Sequence, residues 1–583
     1  MHISTTRRHY ENKDGTQVDY ESHLLRRSVR IGKTVRNETL ANLSHLPGEL
    51  IEALRAGLSG KALLIAGEGL ELVRALPHGH LAAASAQASA LGFPKLLGPA
   101  CRERDIAYAL VLARMVRPAS KLATIAWWSD TTLLVDFALE EVSTDEVYGA
   151  MDWLLSRQDA IERALAKRHL SVEHNPTGRA YFDLSSSWME GRMCPLSAFG
   201  HSRDGKRGKA QIEYGLLADP TGCPVAIRVF PGNTGDPSAF VEIVKVVRER
   251  FGLKHIVMVG DRGMITSARI DALRELPGHM GWLTALRAPQ IQKLAADNGP
   301  LQMSLFDEVN FAEITHPDYP GERLVCCRNP LLGEERARKR EALLSASEAE
   351  LEKIALATRR ERRPLAGKDK IALKVGKVLN HYKMAKHFVL TFEEDAFTFA
   401  RNADSIATEA ALDGIYVLRT TIPEAELDTT GVISAYKDLA GVERDFRSMK
   451  AIDVDLRPVH HYLSERVRAH AFLCMLSTYV TFHLRATLAP LTFTETTKPP
   501  RTDPVAPATR SVAARKRDAA KKNADGESLR GYRELIEHLG TLTRNRMRVA
   551  VGASVEFDLL ATPTPTQRRV FELLGVPVPK TLM

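Results

Sequence analysis

The chain has 583 residues but only six cysteines, Cys101, Cys194, Cys223, Cys326, Cys327 and Cys474, and no two stand in a C-x-x-C pair. So few cannot staple a chain of this length, which excludes a disulfide scaffold. Without paired ligand spacing, a zinc site has little support from sequence. Reduced thiols are the simplest reading, with the vicinal Cys326 and Cys327 inside a strand. A long apolar run is also missing. The longest, Ala469 to Leu484, is interrupted by His470 and His483 and falls short of the roughly 20 residues a membrane span needs. A buried core helix is expected there. Met1 to Ser22 is polar and charged, without the apolar segment of a signal peptide. The expectation is a cytoplasmic protein with no membrane partner. Internal repeats are absent.

In place of these the chain has a basic excess, 80 Lys and Arg against 71 Asp and Glu, for a net charge of +9. Such a balance suits an anionic partner, because each neutralised phosphate releases counterions. It does not by itself single out nucleic acid. At roughly 100–200 residues per domain, several domains are expected.

Residues 1–100 read as a strand-rich N-terminal region, with Leu24 to Val35 alternating basic and apolar residues around a Gly32-Lys33 turn. Residues 101–175 read as helical. Ile106, Leu110, Ala113, Met115 and Leu122, then Tyr148, Met151, Leu154 and Leu155, recur at near-helical spacing. From 176 to 287 the pattern turns to strands: Arg179 to Ser187, Gln211 to Ala218 and Val225 to Phe230, with an Asp219-Pro220-Thr221-Gly222 turn between the last two. Asp236 then reads as an N-cap with Pro237 at the first helical position, and that helix runs to about Arg250. Ile256 to Gly260 is a short, wholly apolar strand, as a central strand covered on both faces would be. A further helix and a strand, Trp282 to Leu286, come next. Three strands, a helix, a strand, a helix and a strand is the order of an α/β ribonuclease-H-like core, a mixed sheet flanked by helices. Residues 288–410 break the alternation and read as an α+β insertion, with a charged helix from Glu334 to Arg363 and a strand near Phe388 to Phe392. Residues 411–490 resume the core with a strand, Ile415 to Leu418, a long helix from about Val432 to Lys450, and further helix to about Leu484. Residues 491–530, rich in proline, alanine and basic residues, read as a disordered linker, and 531–583 as a C-terminal segment.

Three carboxylates stand out. Asp183 lies in an apolar strand between Phe182 and Leu184, where a charge is costly unless something pairs with it. Asp261 follows the apolar strand Ile256 to Gly260 directly, at the strand end where open α/β sheets bind ligands; Gly260 and Gly263 leave room around it. Glu443 shares a helix face with Tyr436, Ala440, Arg447 and Lys450, beside an apolar stripe of Leu439, Val442, Phe446 and Met449. Singly, each has a structural reading: a strand-end Asp bonded to a turn, a helix-capping Asp, a solvated helix face. Together they offer hard oxygen ligands of the kind that suit Mg²⁺ or Mn²⁺. Two such ions can clamp the attacking and leaving oxygens of an in-line displacement at phosphorus.

In the order YFDLSSSW (181–188), GHSRDGK (200–206), QIEYGLLAD (211–219), PVAIRVFPGNTGD (224–236), VMVGDRGM (257–264) and YKDLAGVERDFRSMKAIDVDLRPVHH (436–461), the sequence resembles the DDE transposases of bacterial insertion sequences. It resembles most the subgroup with a large insertion between the second Asp and the Glu. HLLRRSVRIGKTVRNETLANL (23–43) is similar to that subgroup's start. The resemblance implies that Asp183, Asp261 and Glu443 are the catalytic and metal-binding triad. The gap between Asp261 and Glu443 is more than twice that between Asp183 and Asp261, long enough to hold the insertion. It also implies DNA contacts at Tyr436 and Lys450; Leu439 stands where the family has Arg, and Arg444 or Arg447 are the candidates to replace it. Lys206, Arg207 and Lys209 are further candidates for DNA contact, or simply parts of a solvated loop. Arg457 and His460 match family positions with no role we can derive.

The resemblance further implies cut-and-paste transposition: metal-dependent cleavage at the element's ends, then strand transfer into target DNA, with two Mg²⁺ ions or Mn²⁺ in their place. The partners implied are double-stranded DNA, as terminal inverted repeats and as target, and a second copy of the chain in a homodimer at a bacterial nucleoid. The N-terminal and helical regions are the candidates for reading the terminal repeats. Two rivals share the sequence features: an inactive DNA-binding protein derived from a transposase, and another ribonuclease-H-like nuclease.

Overall fold

A computed structural model describes the chain apart from residues 12–16, 61–69, 191–192, 207, 254–255, 262–269, 271–280, 297–298, 495–502, 507–510, 524–525, 550–554 and 583. The helix expected between Gly260 and Trp282, Gly263 beside Asp261, and Arg207 fall outside the described residues.

The chain divides into two compact units. The smaller comprises Met1–Leu76 and Thr543–Thr562. In it β1 (His2–Glu11), β2 (Gln17–Ile31) and β3 (Thr34–Asn42) form an antiparallel meander. The chain reverses between β2 and β3 at Gly32-Lys33, where Gly32 takes a φ of 65° that glycine adopts at no steric cost. A further strand, β4 (Leu70–Pro77), joins a sheet with Thr543–Val549 and Glu556–Leu560. The region expected at 1–100 therefore ends sooner and recruits strands from the C-terminal segment. Pairing between strands so distant in sequence leaves no local pattern to read.

The larger unit, Pro77–Leu542 and Pro563–Met583, is built on an eight-stranded mixed sheet. Its strands are β5 (Arg179–Trp188), β6 (Gln211–Ala218), β7 (Pro224–Pro231), β8 (Val257–Val259), β9 (Gly281–Ala285), β10 (Phe311–Ile314) and β11 (Arg323–Arg328). After the hairpin β12 (Phe388–Phe392) and β13 (Phe397–Arg401) comes the last, β14 (Ile415–Thr420). The spatial order is β10-β11-β14-β9-β8-β5-β6-β7. Strands β5, β6 and β7 are antiparallel to one another, while β8 and β9 run parallel to β5. Every residue of β6 is buried, as a strand covered on both faces must be.

Strands β10 and β11, from the stretch read as an insertion, continue this sheet antiparallel through β14. The remainder of that stretch has its own core. Leu344 and Leu351 on the helix Pro330–Thr358, Ile371 and Val375 on Lys368–Tyr382, and Phe388 and Phe397 on the β12–β13 hairpin pack together.

The helices Arg102–Val116 and Thr144–Ser156 pack against each other and against Ser464–Thr487, whose residues 469–481 are all buried. The apolar stretch is thus a core helix, and among the described residues no helix is long and apolar enough to cross a membrane. Ile106, Leu110, Ala113, Met115, Met151 and Leu154 are buried, but Leu122 is 62% exposed. It belongs to a separate short helix, Lys121–Trp128, past the break at Arg117-Pro118, so its periodicity with Ile106 is accidental. The next helix, Gln158–Leu170, is tied to β7 by Glu162, which is fully buried and accepts from Arg228 at 2.6 Å, from Gln158 and from the Ile227 amide.

The segment expected to be a disordered linker is ordered where described. Val505 is fully buried. Asn310 donates to Asp503 and Lys437 to the Ala506 carbonyl, and a helix, Val512–Ala520, is capped by Ser511. Its composition denies it a core of its own, but other elements supply the partners.

Candidate active site

The register of the sheet sets two of the three carboxylates side by side. In the parallel pair β5–β8, Arg179, Ala180 and Tyr181 stand opposite Val257, Met258 and Val259. Continuing each strand by two residues aligns Asp183 with Asp261, just past the carboxyl end of β8. Side chains alternate along a strand, so Asp183 shares a face with Tyr181, opposite the face of Phe182 and Leu184.

The third carboxylate comes down on the same face. Glu443 lies on Ala440–Arg447, which follows Thr429–Asp438 with a break at Leu439 and continues as a π turn, Ser448–Ile452. The helix expected from Val432 to Lys450 is therefore present but interrupted. Its apolar stripe is buried as expected: Leu439, Val442, Phe446 and Met449 are each at most 7% exposed. Phe446 meets Tyr214 of β6 edge-on at 5.7 Å between centroids. One close approach locks the helix against the sheet. Gly222, in the β6–β7 turn with φ of 94°, sits so near Gly441 that a Cβ there would come within 3.3 Å of the Gly441 Cα. Glu443 itself is exposed.

Electrostatics link the three. Burial pushes the Asp183 carboxyl up to about 6; Asp261 and Glu443 push it the same way, while the Leu184 amide and Arg203 oppose them. The amide donates to Asp183 at 2.8 Å. A half-buried acid raised by two acidic neighbours is a site that a cation would relieve. The donor set, three carboxylates, is that of a hard divalent ion, so these residues fit such a metal. Their oxygens are not drawn into one tight cluster. Among the described residues, the set of three potential ligand atoms lying within 4.8 Å of one another is His169, Cys223 and His483.

The residues expected to hold DNA divide. The Tyr436 hydroxyl donates to Asp261 at 3.3 Å, and the two line a cleft of about 220 Å³ with Tyr416 and Arg336. Arg447 is exposed on the helix. Lys450 is not: it is 8% exposed and donates to Asp204 at 2.9 Å, and Arg457 donates to the same oxygen at 2.6 Å. Burial lowers the Lys450 amine and Asp204 works against it. Leu439, where the family has Arg, is packed in the core, whereas Arg444 is exposed.

Asp204 carries no sequence signal of its own beyond its place in the GHSRDGK stretch. It joins that loop to Lys450 and to Arg457. Trp188, at the end of β5, has the Lys206 ammonium 5.2 Å and the Arg457 guanidinium 5.1 Å from its ring centroid. Arg457, a position without an evident role in sequence, thus ties the end of β5 to the loop. Lys209 pairs with Glu190.

No match is found among curated proteins. Among solved structures, one similar chain is from the cryo-EM structure of the piggyBac transposase synaptic complex with hairpin DNA. It is 11% identical with a TM-score of 0.33, and the match covers 65% of this chain and 66% of that one. This chain thus spans just under two thirds of that protein's length. Residues 192–480, which include Asp261 and Glu443 and begin shortly after Asp183, match the family model of the transposase DDE domain, and the chain belongs to the DDE transposases.

Proposed function

We propose that this chain is the transposase of an insertion sequence, cleaving DNA at the element's ends and transferring the freed 3′ ends into target DNA, with Asp183, Asp261 and Glu443 as its catalytic carboxylates. The observation that carries the assignment is the β5–β8 register, which aligns Asp183 with Asp261 beneath the helix of Glu443. Strand order supports the fold expected from sequence. With β5 as the first strand, β7-β6-β5-β8-β9 reads 3-2-1-4-5, two parallel strands following three antiparallel ones, which is the ribonuclease-H-like arrangement.

The carboxylates would hold two Mg²⁺ ions, or Mn²⁺. When bound, such a pair activates the attacking oxygen and neutralises charge gathering at phosphorus, for water and for a 3′-hydroxyl alike. Tyr436 orients Asp261 through its hydroxyl. Arg447, exposed one turn beyond Glu443, is placed to contact a DNA backbone phosphate. Lys450 and Arg457 act one step back: through Asp204 they fix the loop 200–206 against the end of β5. Two element ends must be joined in one reaction, so the working form is a homodimer on terminal repeats and target DNA.

A strand-transfer assay tests the reading. Purified protein, a linear fragment with the repeats that flank the gene, and supercoiled plasmid are combined with Mg²⁺. Joined products are expected. Metal-dependent nicking without joining would favour a nuclease, and repeat binding without cleavage a DNA-binding derivative.

A further inference from the structure

A second group of ligand-bearing side chains lies apart from the carboxylates. His169 ends the helix Gln158–Leu170, Cys223 follows the β6–β7 turn, and His483 lies on Ser464–Thr487. One ligand atom from each lies within 4.8 Å of the other two. We propose that His169, Cys223 and His483 form a binding site for a borderline-soft divalent ion, Zn²⁺, that clips the helical region to the catalytic sheet.

Geometry carries the proposal. With Zn–S at about 2.3 Å and Zn–N at about 2.0 Å, a tetrahedral angle separates sulfur from nitrogen by about 3.5 Å. Cys223 Sγ and His483 Nε2 are 3.5 Å apart. His169 is already oriented: its Nδ1 lies 3.1 Å from Asp219 Oδ2, which directs Nε2 toward the group. A carboxylate behind a ligating histidine is the usual device for fixing tautomer and ring. Asp219 is itself fixed, because its other oxygen accepts from Thr221 and from the amide of Cys223.

One further feature points to a cation. Asp445 is 4% exposed, and its Oδ2 is buried without a hydrogen-bond partner. That oxygen lies 3.6 Å from where a Gly222 Cβ would be, one residue from Cys223. A buried carboxylate oxygen without a hydrogen-bond partner is costly unless it is paired or lies near a metal, and Arg444 already acts on this one. The facing charges are Asp219 and Asp445 on one side and Arg168 on the other.

Binding would release the Cys223 thiol proton to solvent as the sulfur–metal bond forms. His169 Nε2, now 3.2 Å from the Tyr479 hydroxyl, would exchange that partner for the ion. Nitrogen and sulfur donors favour Zn²⁺ over Mg²⁺, so the two sites need not compete. Three protein ligands leave a fourth position for water. The proposal stands whether or not the carboxylates cleave DNA.

The test is metal content. Full-length protein is loaded with Zn²⁺, dialysed against excess Mg²⁺ and measured by elemental mass spectrometry, alongside Cys223→Ser, His483→Gln and Asp261→Ala. We expect about one zinc per chain in the unsubstituted protein and in Asp261→Ala, and at least a tenfold loss in the other two. Co²⁺ loading of the unsubstituted protein should give a near-ultraviolet thiolate-to-metal band. That spectrum decides the matter if the ligand variants do not fold. Absence of stoichiometric zinc, undiminished zinc in folded Cys223→Ser and His483→Gln, or a cobalt spectrum without the thiolate band overturns the proposal.

Discussion

The three carboxylates and the His169–Cys223–His483 group are both built around the β5–β6–β7 strands, yet they differ in almost every physical respect. The first offers oxygen donors, two of them on exposed side chains, Asp261 and Glu443, and opens to a cleft. The second offers nitrogen and sulfur, buried or half-buried, with partners already in place. An open oxygen site can exchange ions and admit a phosphate. A half-buried site of nitrogen and sulfur donors would hold an ion for structure. Under the two proposals, chemistry and scaffolding fall on donors that select different metals.

That contrast breaks most readily at the carboxylates. Glu443→Gln keeps the shape and removes the charge. Cleavage should fall by about a thousandfold or more, equivalent to losing about 4 kcal/mol of transition-state stabilisation, while DNA binding persists. Equal cleavage rates in a single-turnover assay would remove Glu443 from the site.

The next effect concerns the scaffold. Arg228→Ala leaves Glu162 buried without its counter-charge. Burial already raises the Glu162 carboxyl, and Arg228 is the largest influence holding it down. Stability should drop by about 3–5 kcal/mol in chemical denaturation. Because Glu162 shares a helix with His169, zinc retention should weaken as well. A loss under about 1 kcal/mol would mean that the helix is held elsewhere.

Arg447 and Lys450 sharpen the comparison on the DNA side. Arg447→Ala should reduce the slope of log affinity against log salt by about one, the signature of one lost phosphate contact. Lys450→Met should leave that slope unchanged and instead cost about 1–3 kcal/mol of stability, because Asp204 loses a buried partner. If Lys450→Met changes the slope, its ion pair opens on DNA.

Legibility in the sequence divides along the same line. Asp183, Asp261 and Glu443 each sit on a local pattern: an apolar strand, the end of another, and a helix stripe. Alternation and the 3.6-residue period depend only on near neighbours, so β5 to β9 are legible too. Strand partners are not. Nothing local to β10 and β11 says that they extend the main sheet, and nothing near Thr543 says that it pairs toward β4. The zinc candidate escapes for that reason as well, because its ligands come from three separate elements and share no spacing motif. Asp204 is hidden in a loop that reads as merely polar. The linker misleads because composition reports what a segment cannot do alone, whereas Asp503 and Val505 are held by other parts of the chain.

The smallest effect is expected at a third buried polar group. Lys121 is held down at about 7, by burial first and Arg114 second, with Cys474 opposing. The unfolded chain keeps that proton up to its ordinary value near 10.5. Between the two the unfolded state binds more protons, so stability rises with pH across this window. Lys121→Met should therefore stabilise by about 1–2 kcal/mol at pH 7, with the gain shrinking toward pH 10. A pH-independent difference would contradict this.

The most direct test of the central claim is cleavage of DNA carrying the element's own ends, with Mg²⁺ or Mn²⁺, comparing the unsubstituted protein with Asp261→Ala. Metal-dependent cuts at the ends are predicted, and they should disappear in the variant while its fold and its binding to the repeats persist. Equal cutting by both proteins would contradict the claim and would move the active site away from the end of β8.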